Sequence, residues 1–154
     1  MNLLSKTKKL NIPNSDLIEK SIREKTIRSK ESLEYFSPAS WEGQSKFFHG
    51  FECEHKIFLT RIKTPIERFL FPKIIVEFDE NDFSNYKLRL SKLSYLIFVL
   101  LMGLISMNLF YSLFSWRLES DILEMIFYGV LFVCFGKIDM FLVERKLKQS
   151  LNFD

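Results

Sequence analysis

The sequence predicts an α+β head, with a small antiparallel sheet of three to four strands and one helix. A two-helix transmembrane hairpin and a short amphipathic C-terminal helix follow it. Two apolar runs, residues 94–116 and 122–135, are separated by a short polar stretch, and alternating segments fill the chain before them. We therefore expect a cytoplasmic head over 1–90, a hairpin over 94–143 with spans of about 94–116 and 122–143, and a charged helical tail over 144–154.

The N-terminal part of the head is predicted to be one strand and one helix. Residues 8–12 form a strand that Pro13 ends, because proline has no N–H for a β-ladder. Asn14 or Ser15 then caps a helix that runs to about Ile27. Acid-before-base pairs four residues apart support its surface, namely Asp16–Lys20, Glu19–Arg23 and Glu24–Arg28.

The rest of the head is predicted to be a β-meander. Residues 28–45 are polar and indicate a loop with some helix at its start. Strands follow over 46–53, 57–63, 73–78 and 86–90, with turn-forming residues near 54–56 and 79–85. The stretch 64–71, which contains Pro65 and precedes Pro72, is predicted to be a connection with a short turn.

The first apolar run is long enough to cross a bilayer. Its roughly 23 uncharged residues span about 34 Å as a helix, against a hydrocarbon core of about 30 Å. A buried core helix is the alternative, but no other part of the chain is apolar enough to enclose one. The second run reaches residue 143 if Lys137 extends its ammonium to the interface, and the alternative is an interfacial or re-entrant helix.

The basic residues predict the orientation. They precede the first span and follow the second, whereas the connecting loop holds only Arg117 beside two acids. Both termini are therefore expected in the cytoplasm of a multi-pass protein of the cell (plasma) membrane. The N-terminus lacks the apolar core of a signal peptide, so the first span is expected to act as the targeting signal.

An apolar stripe follows the second span. Met140, Val143, Leu147 and Leu151 share one helical face, which predicts a helix on the bilayer surface or against the head. Continuation of the membrane helix into water is the alternative.

Composition narrows the function classes. The net charge of +3 is too small to indicate nucleic-acid binding, and Cys53 and Cys134 give no disulfide framework. The sequence has two His and five Gly, and it shows no phosphate loop, no nucleophile with a placed histidine and no paired catalytic carboxylates. We expect neither an enzyme nor a cofactor.

Several short motifs occur in a fixed order along the chain. They are Phe48-x-Gly50, Phe58-x-x-Arg61, Pro72-x-Ile74, an alternating strand before two apolar runs, and an ending with Glu144, Leu147, Leu151 and Phe153. In this order the chain resembles a family of small uncharacterised bacterial membrane proteins over about residues 2–153. The resemblance implies architecture only: a strand and helix, a few strands, a helical hairpin and a charged tail.

Two groups of polar residues are candidate sites for metal or ions. His49, Cys53 and His55 would share one face of an unbroken strand, where Zn²⁺ or Cu²⁺ could bind, unless a turn at 54–56 aims His55 elsewhere. Glu124, Lys137 and Asp139 lie at the ends of the second span. They indicate either side chains that reach the interface or a proton or ion path.

Two further groups are candidates for contacts. Ser106 and Asn108 with Gly103, and the strip of Gly129 and Gly136, are suited to packing the hairpin or a homo-oligomer. Four basic residues surround the connection between Pro65 and Pro72: Arg61, Lys63, Arg68 and Lys73. They would contact lipid phosphates or an acidic partner, and the alternative is that they are surface charges of a solvated loop.

Three functions follow, in order of preference. The first is a non-enzymatic, membrane-anchored interaction module whose head binds a protein partner or the lipid surface. The second is a small oligomeric channel, transporter accessory or pore-forming protein. The third is an enzyme with a metal at His49, Cys53 and His55.

Overall fold

The computed structural model describes residues 5–10, 15–35, 45–115 and 120–151. They form an α+β fold with one six-stranded mixed sheet and four helices. The strands are β1 (Ser5–Lys9), β2 (Thr26–Arg28), β3 (Phe48–Cys53), β4 (Lys56–Arg61), β5 (Ile74–Asp79) and β6 (Asp82–Leu90). The helices are α1 (Ser15–Glu24), α2 (Pro65–Leu70), α3 (Lys92–Ser115) and α4 (Ser120–Leu151). The predicted stop at Pro13 and cap at Asn14 lie outside the described residues, as does Arg117.

The sheet is larger than predicted. Its order is β1-β6-β5-β4-β3-β2, so the meander β3 to β6 is confirmed and one more strand lies at each edge. β1 is antiparallel to β6, and β2 is parallel to β3, which makes the sheet mixed. The helix predicted to run to about Ile27 ends at Glu24, and Thr26–Arg28 form β2 instead. Three residues are too few to show an alternation, and their place in the sheet depends on pairing with a distant strand.

The two ends of the sheet differ in their surroundings. β3–β4 and β5–β6 turn at one end through the pairs Glu54–His55 and Glu80–Asn81, and we call this the turn end. Glu54 and His55 have φ of 49° and 60°, the left-handed conformation that two-residue hairpin turns use. At the other end Phe48 pairs with Arg61 and Ile74 with Leu90. We call it the helix end, because α3 begins two residues after β6.

The core lies between one face of the sheet and two helices. The sheet contributes Ile57, Leu59, Val76, Phe78 and Leu88, which alternate along their strands as a single buried face requires. α1 adds Ile18 and Ile22, and α4 adds Val143, Leu147 and Leu151. Glu19 of α1 accepts a hydrogen bond from Arg23 at 2.6 Å, so this predicted i,i+4 pair is confirmed.

The predicted short C-terminal helix is instead the last part of α4, which continues without a break from the second apolar run. Its predicted apolar stripe packs on the sheet, because Val143 and Leu147 are fully buried there. The side chain of Lys8 in β1 donates to the carboxylate of Glu144, and Ser21 of α1 donates to the carbonyl oxygen of Ser150. The C-terminal part of α4 is therefore core structure of the head.

α3 and α4 are long and apolar enough to cross a membrane, over Lys92–Ser112 and Leu123–Leu151. Only 11% of the most apolar stretch of α3 is buried, which differs from the core helix of a soluble protein. The helices contact each other through stacked Phe98 and Phe132 rings, 5.5 Å between centroids. These features are compatible with the predicted hairpin.

Small and polar residues contribute unequally to the contact between α3 and α4. A Cβ on Gly129 would lie 3.1 Å from Ile105, so this glycine allows close approach. Asn108 Nδ2 lies 3.4 Å from the sulfur of Met125. Gly103 faces open space, and the Ser106 hydroxyl donates to the Met102 carbonyl of its own helix at 2.8 Å. Asn108 and Gly129 thus take part in the contact between α3 and α4, as predicted, whereas Gly103 and Ser106 lie outside it.

The buried position of α4 predicts a strong effect of Leu147→Ala on the head. Truncating a fully buried leucine should lower the free energy of unfolding by about 2–5 kcal/mol. Denaturant unfolding of the full chain in detergent, followed by circular dichroism, measures it. Lys148→Ala on the exposed side of the same turn is the control and should change stability by less than about 0.5 kcal/mol. Equal effects of the two substitutions would mean that the tail of α4 does not pack on the sheet.

Candidate functional site

The candidate site lies at the helix end of the sheet, where the head meets α4. Arg61 ends β4 on the same face as Leu59, because alternate residues of a strand share a face. This face packs against α4, so the strand aims the Arg61 side chain at that helix. Lys63 follows two residues later, and α2 then connects β4 to β5.

A buried ion cluster, formed by Asp139, Arg61 and Lys63, joins α4 to the head. The Asp139 side chain is 0% exposed. Arg61 donates to its Oδ1 from Nη2 at 2.9 Å and from Nε at 3.3 Å, and Lys63 Nζ lies 2.6 Å from its Oδ2. Because a buried carboxylate is costly unless it is paired, two cations on one carboxylate account for its place inside the protein.

The interpretation of Asp139 as a group that reaches the interface is therefore wrong. It lies inside the junction of head and helix, whereas Lys137 and Glu124 are exposed. The sequence places Asp139 after an apolar run, but nothing in it shows that β4, 78 residues earlier, delivers an arginine to the same point.

α2 holds the outer side of the cluster. The connection predicted with a short turn is a helix that starts with a capping box: Thr64 N–H donates to Glu67 Oε2 at 2.9 Å, and Glu67 N–H donates to Thr64 Oγ1 at 3.3 Å. Glu67 also accepts from Arg61 Nη1 at 2.8 Å. Burial raises the pKa of Glu67, but the hydrogen bonds from Thr64 and Arg61 outweigh it and lower that pKa.

A cleft of about 40 Å³ lies beside this cluster, and we call it the basic cleft. Its lining residues are His49, Thr60, Arg61, Lys63, Arg68, Phe71 and Lys73. All four basic residues that the sequence grouped around the connection are thus brought together. The sequence did not predict that His49 also lines the cleft. Its position there depends on the pairing of β3 with β4, which places His49 opposite Thr60.

Positive charge and burial shift the pKa values of two groups in the basic cleft. Burial and the charge of Lys63 lower the pKa of Lys73 to about 8, against an opposing contribution from Glu34. Burial, and then the charges of Arg68 and Lys73, lower the pKa of His49, which favours its neutral form. His49 is 5% exposed, and neither of its ring nitrogens has a hydrogen-bond partner among the described residues.

The outer face of α2 is apolar and exposed. Ile66, Phe69 and Leu70 follow the i, i+3, i+4 spacing of one helical face, and Phe69 is 92% exposed. Phe71, the next residue along, packs its ring edge-on against Phe135 of α4 at 5.4 Å. The residue that follows α2 thus contacts α4, whereas the apolar face of α2 itself is exposed.

The histidines and cysteine proposed as metal ligands are not brought together. His49 lies in the basic cleft, whereas His55 is in the turn at the opposite end of the sheet with its Nδ1 3.2 Å from Glu80 Oε2. Cys53 ends β3 next to this turn. Within the described ranges, no three His, Cys, Asp or Glu side chains are grouped to hold a metal ion.

Comparisons with family models, with curated proteins and with solved structures gave no match to this chain. The resemblance to a family of small bacterial membrane proteins stays a prediction.

The buried ion cluster predicts a large effect of Asp139→Asn. The substitution leaves Arg61 and Lys63 buried beside a neutral amide, and breaking such a pair typically costs about 3–5 kcal/mol of unfolding free energy. Denaturant unfolding of the full chain in detergent measures it. The control is Glu144→Gln, also on α4, which removes the partly exposed pair with Lys8 and should cost at most about 1 kcal/mol. If both variants are as stable as the parent chain, Asp139 does not form a buried ion cluster with Arg61 and Lys63.

Proposed function

We propose that this chain is an integral membrane protein of two spans whose head is a non-enzymatic interaction module at the cytoplasmic face of the cell membrane. The observation that carries the proposal is the continuity of α4. One part of this helix is an apolar candidate span, and another part supplies the core of the head and the buried Asp139. A head fixed in this way to a membrane helix would remain at the bilayer surface.

The exposed surface of the hairpin supports the membrane placement. Large apolar side chains cover the outside of α3, including Leu96, Leu100, Met107 and Phe110. Monomeric soluble proteins rarely expose apolar patches of that extent, whereas a lipid-facing helix requires them. Backbone polar groups are satisfied within each helix, as hydrocarbon demands.

The distribution of charge supports the orientation. Basic residues gather at the helix end of the sheet, next to the start of α3, and acidic residues at the turn end include Glu54, Asp79 and Glu80. Cytoplasmic segments next to membrane spans carry excess Lys and Arg, and the cytoplasmic leaflet is negatively charged. A head with its basic end toward the membrane and its acidic end toward the cytosol fits both rules.

The natural cysteines allow a direct test of this topology. Cys53 is exposed in the head, and Cys134 lies within the second candidate span. In cells that express the Cys134→Ser variant, a membrane-impermeant maleimide should leave Cys53 unlabelled until the membrane is permeabilised. The control is a chain with Cys53→Ser, Cys134→Ser and Ser120→Cys, whose single cysteine next to the predicted outer loop should be labelled in intact cells. Labelling of Cys53 in intact cells, or recovery of the full chain as a soluble protein without detergent, would overturn the proposal.

A further inference from the structure

α2 presents an apolar surface on the outside of the head. Ile66 is 72% exposed and Phe69 92% exposed, and Leu70 is exposed on the same side of the helix. Glu67 faces the protein instead, because it accepts a hydrogen bond from Arg61 Nη1 at 2.8 Å. A helix that directs its carboxylate into the protein and its large apolar side chains outward indicates a surface that contacts a partner or a membrane.

Contacts on both sides of α2 fix its position beside α4. Two residues before the helix, Lys63 Nζ lies 2.6 Å from Asp139 Oδ2. Directly after the helix, the ring of Phe71 packs edge-on against Phe135 with 5.4 Å between centroids. α2 itself has six residues and is therefore only about 9 Å long. A helix this short, held at each end to one stretch of α4, lies beside residues 135–139.

The connection that contains α2 is also bound to the start of α3. The backbone N–H of Lys73 donates to Ser94 Oγ at 2.9 Å, and Ser94 lies in the first turn of α3. The surface of α3 is apolar and exposed from the next residues on, with Tyr95 and Leu96. Tyrosine is enriched where a membrane span meets water, so Tyr95 indicates the level of the membrane boundary on α3.

α4 reaches the same boundary near Lys137. The described part of α4 contains no Lys or Arg before this residue, which is exposed. Beyond it, Ile138 and Phe141 are still exposed apolar side chains, so the apolar surface of α4 continues past the boundary cation. Both helices therefore leave the apolar layer next to the residues that hold α2, which are Ser94 on α3 and Phe135 on α4.

We propose that α2 is an interfacial membrane anchor of the head, with Ile66, Phe69 and Leu70 inserted at the boundary of headgroups and acyl chains in the cytoplasmic leaflet. The occupant is lipid, because the helices that hold α2 on both sides are the two candidate spans. An apolar helix face binds a bilayer at this boundary through its buried apolar area. α2 then fixes how the head is turned on the hairpin and keeps the turn end toward the cytosol. This inference rests on the proposed membrane placement.

Spin labelling of the full chain in vesicles of phosphatidylethanolamine and phosphatidylglycerol measures the depth of α2. In a chain with Cys53→Ser and Cys134→Ser, the nitroxide is attached through Ile66→Cys or, in a second chain, through Phe69→Cys. Each chain keeps the other apolar side chains of α2, and both positions are exposed, so labelling removes no core contact. Electron paramagnetic resonance then compares collisions of the label with O₂, which concentrates among acyl chains, and with a water-soluble nickel complex on both sides of the membrane.

Both labels should collide mainly with O₂ and lie about 5–10 Å into the boundary of headgroups and acyl chains. The matched control is Leu17→Cys, which labels an exposed apolar position on α1. α1 contacts the last turn of α4 through Ser21 and Ser150, away from the start of α3, so this label should collide mainly with the nickel complex. Leu100→Cys, exposed on α3, is the reference for the acyl-chain region. Circular dichroism checks that each labelled chain is folded.

Two results would overturn the proposal. Labels at positions 66 and 69 that collide with the nickel complex as often as the label at position 17 would place α2 in water. Labels that are shielded from both reagents would show that protein covers this face, either a second copy of the chain or another partner. If the label at position 100 also lies in water, the proposed membrane placement fails as well, so the two failures are distinguishable.

Discussion

The carboxylate of Asp139 is the constraint on which the other contacts depend. It is fully buried on α4, after the apolar run of that helix, and it is stabilised there by Arg61 at the end of β4 and by Lys63 two residues later. A buried ion pair adds little stability relative to apolar packing, but breaking it is costly, so it restricts which surfaces can meet. Here it fixes the helix end of the sheet against one point of α4, and thereby forms the inner wall of the basic cleft.

α4 has two roles along one continuous helix. Near its start it is exposed and apolar, and it contacts α3 through Gly129 and Phe132. Near its end only a stripe of residues is buried, and this stripe completes the core of the head with Val143 and Leu147. A head tied to the hairpin by a flexible linker could rotate freely, whereas this arrangement directs its basic end toward the start of α3.

Local patterns in the sequence predicted most of the fold. Alternation and turn residues predicted the strands β3 to β6, the two apolar runs predicted α3 and the first part of α4, and the basic connection predicted the residues around the cleft. What was missed depends on distant pairings. β2 was not predicted, and the N-terminal strand was predicted over 8–12, whereas β1 is Ser5–Lys9 and forms an edge of the sheet by pairing with β6. His49 enters the cleft only because its strand pairs with β4, opposite Thr60. The position of Asp139 was predicted wrongly for the same reason. Tertiary structure sets its ion-pair partners, and the residues next to it in the sequence do not indicate them.

A double-mutant cycle between Arg61→Met and Asp139→Leu tests the central claim most directly. Arg61 donates hydrogen bonds of 2.9 Å and 3.3 Å to Asp139 in a buried site, so the effects of the two substitutions on the free energy of unfolding should be coupled by at least about 1.5 kcal/mol. The double variant should then be markedly more stable than the sum of the single losses implies, because neither Arg61 nor Asp139 is left buried opposite an apolar side chain. Lys63 loses Asp139 in both the single and the double variant, so that loss cancels in the cycle. Additivity within about 0.5 kcal/mol would contradict a head fixed to α4 through this ion pair.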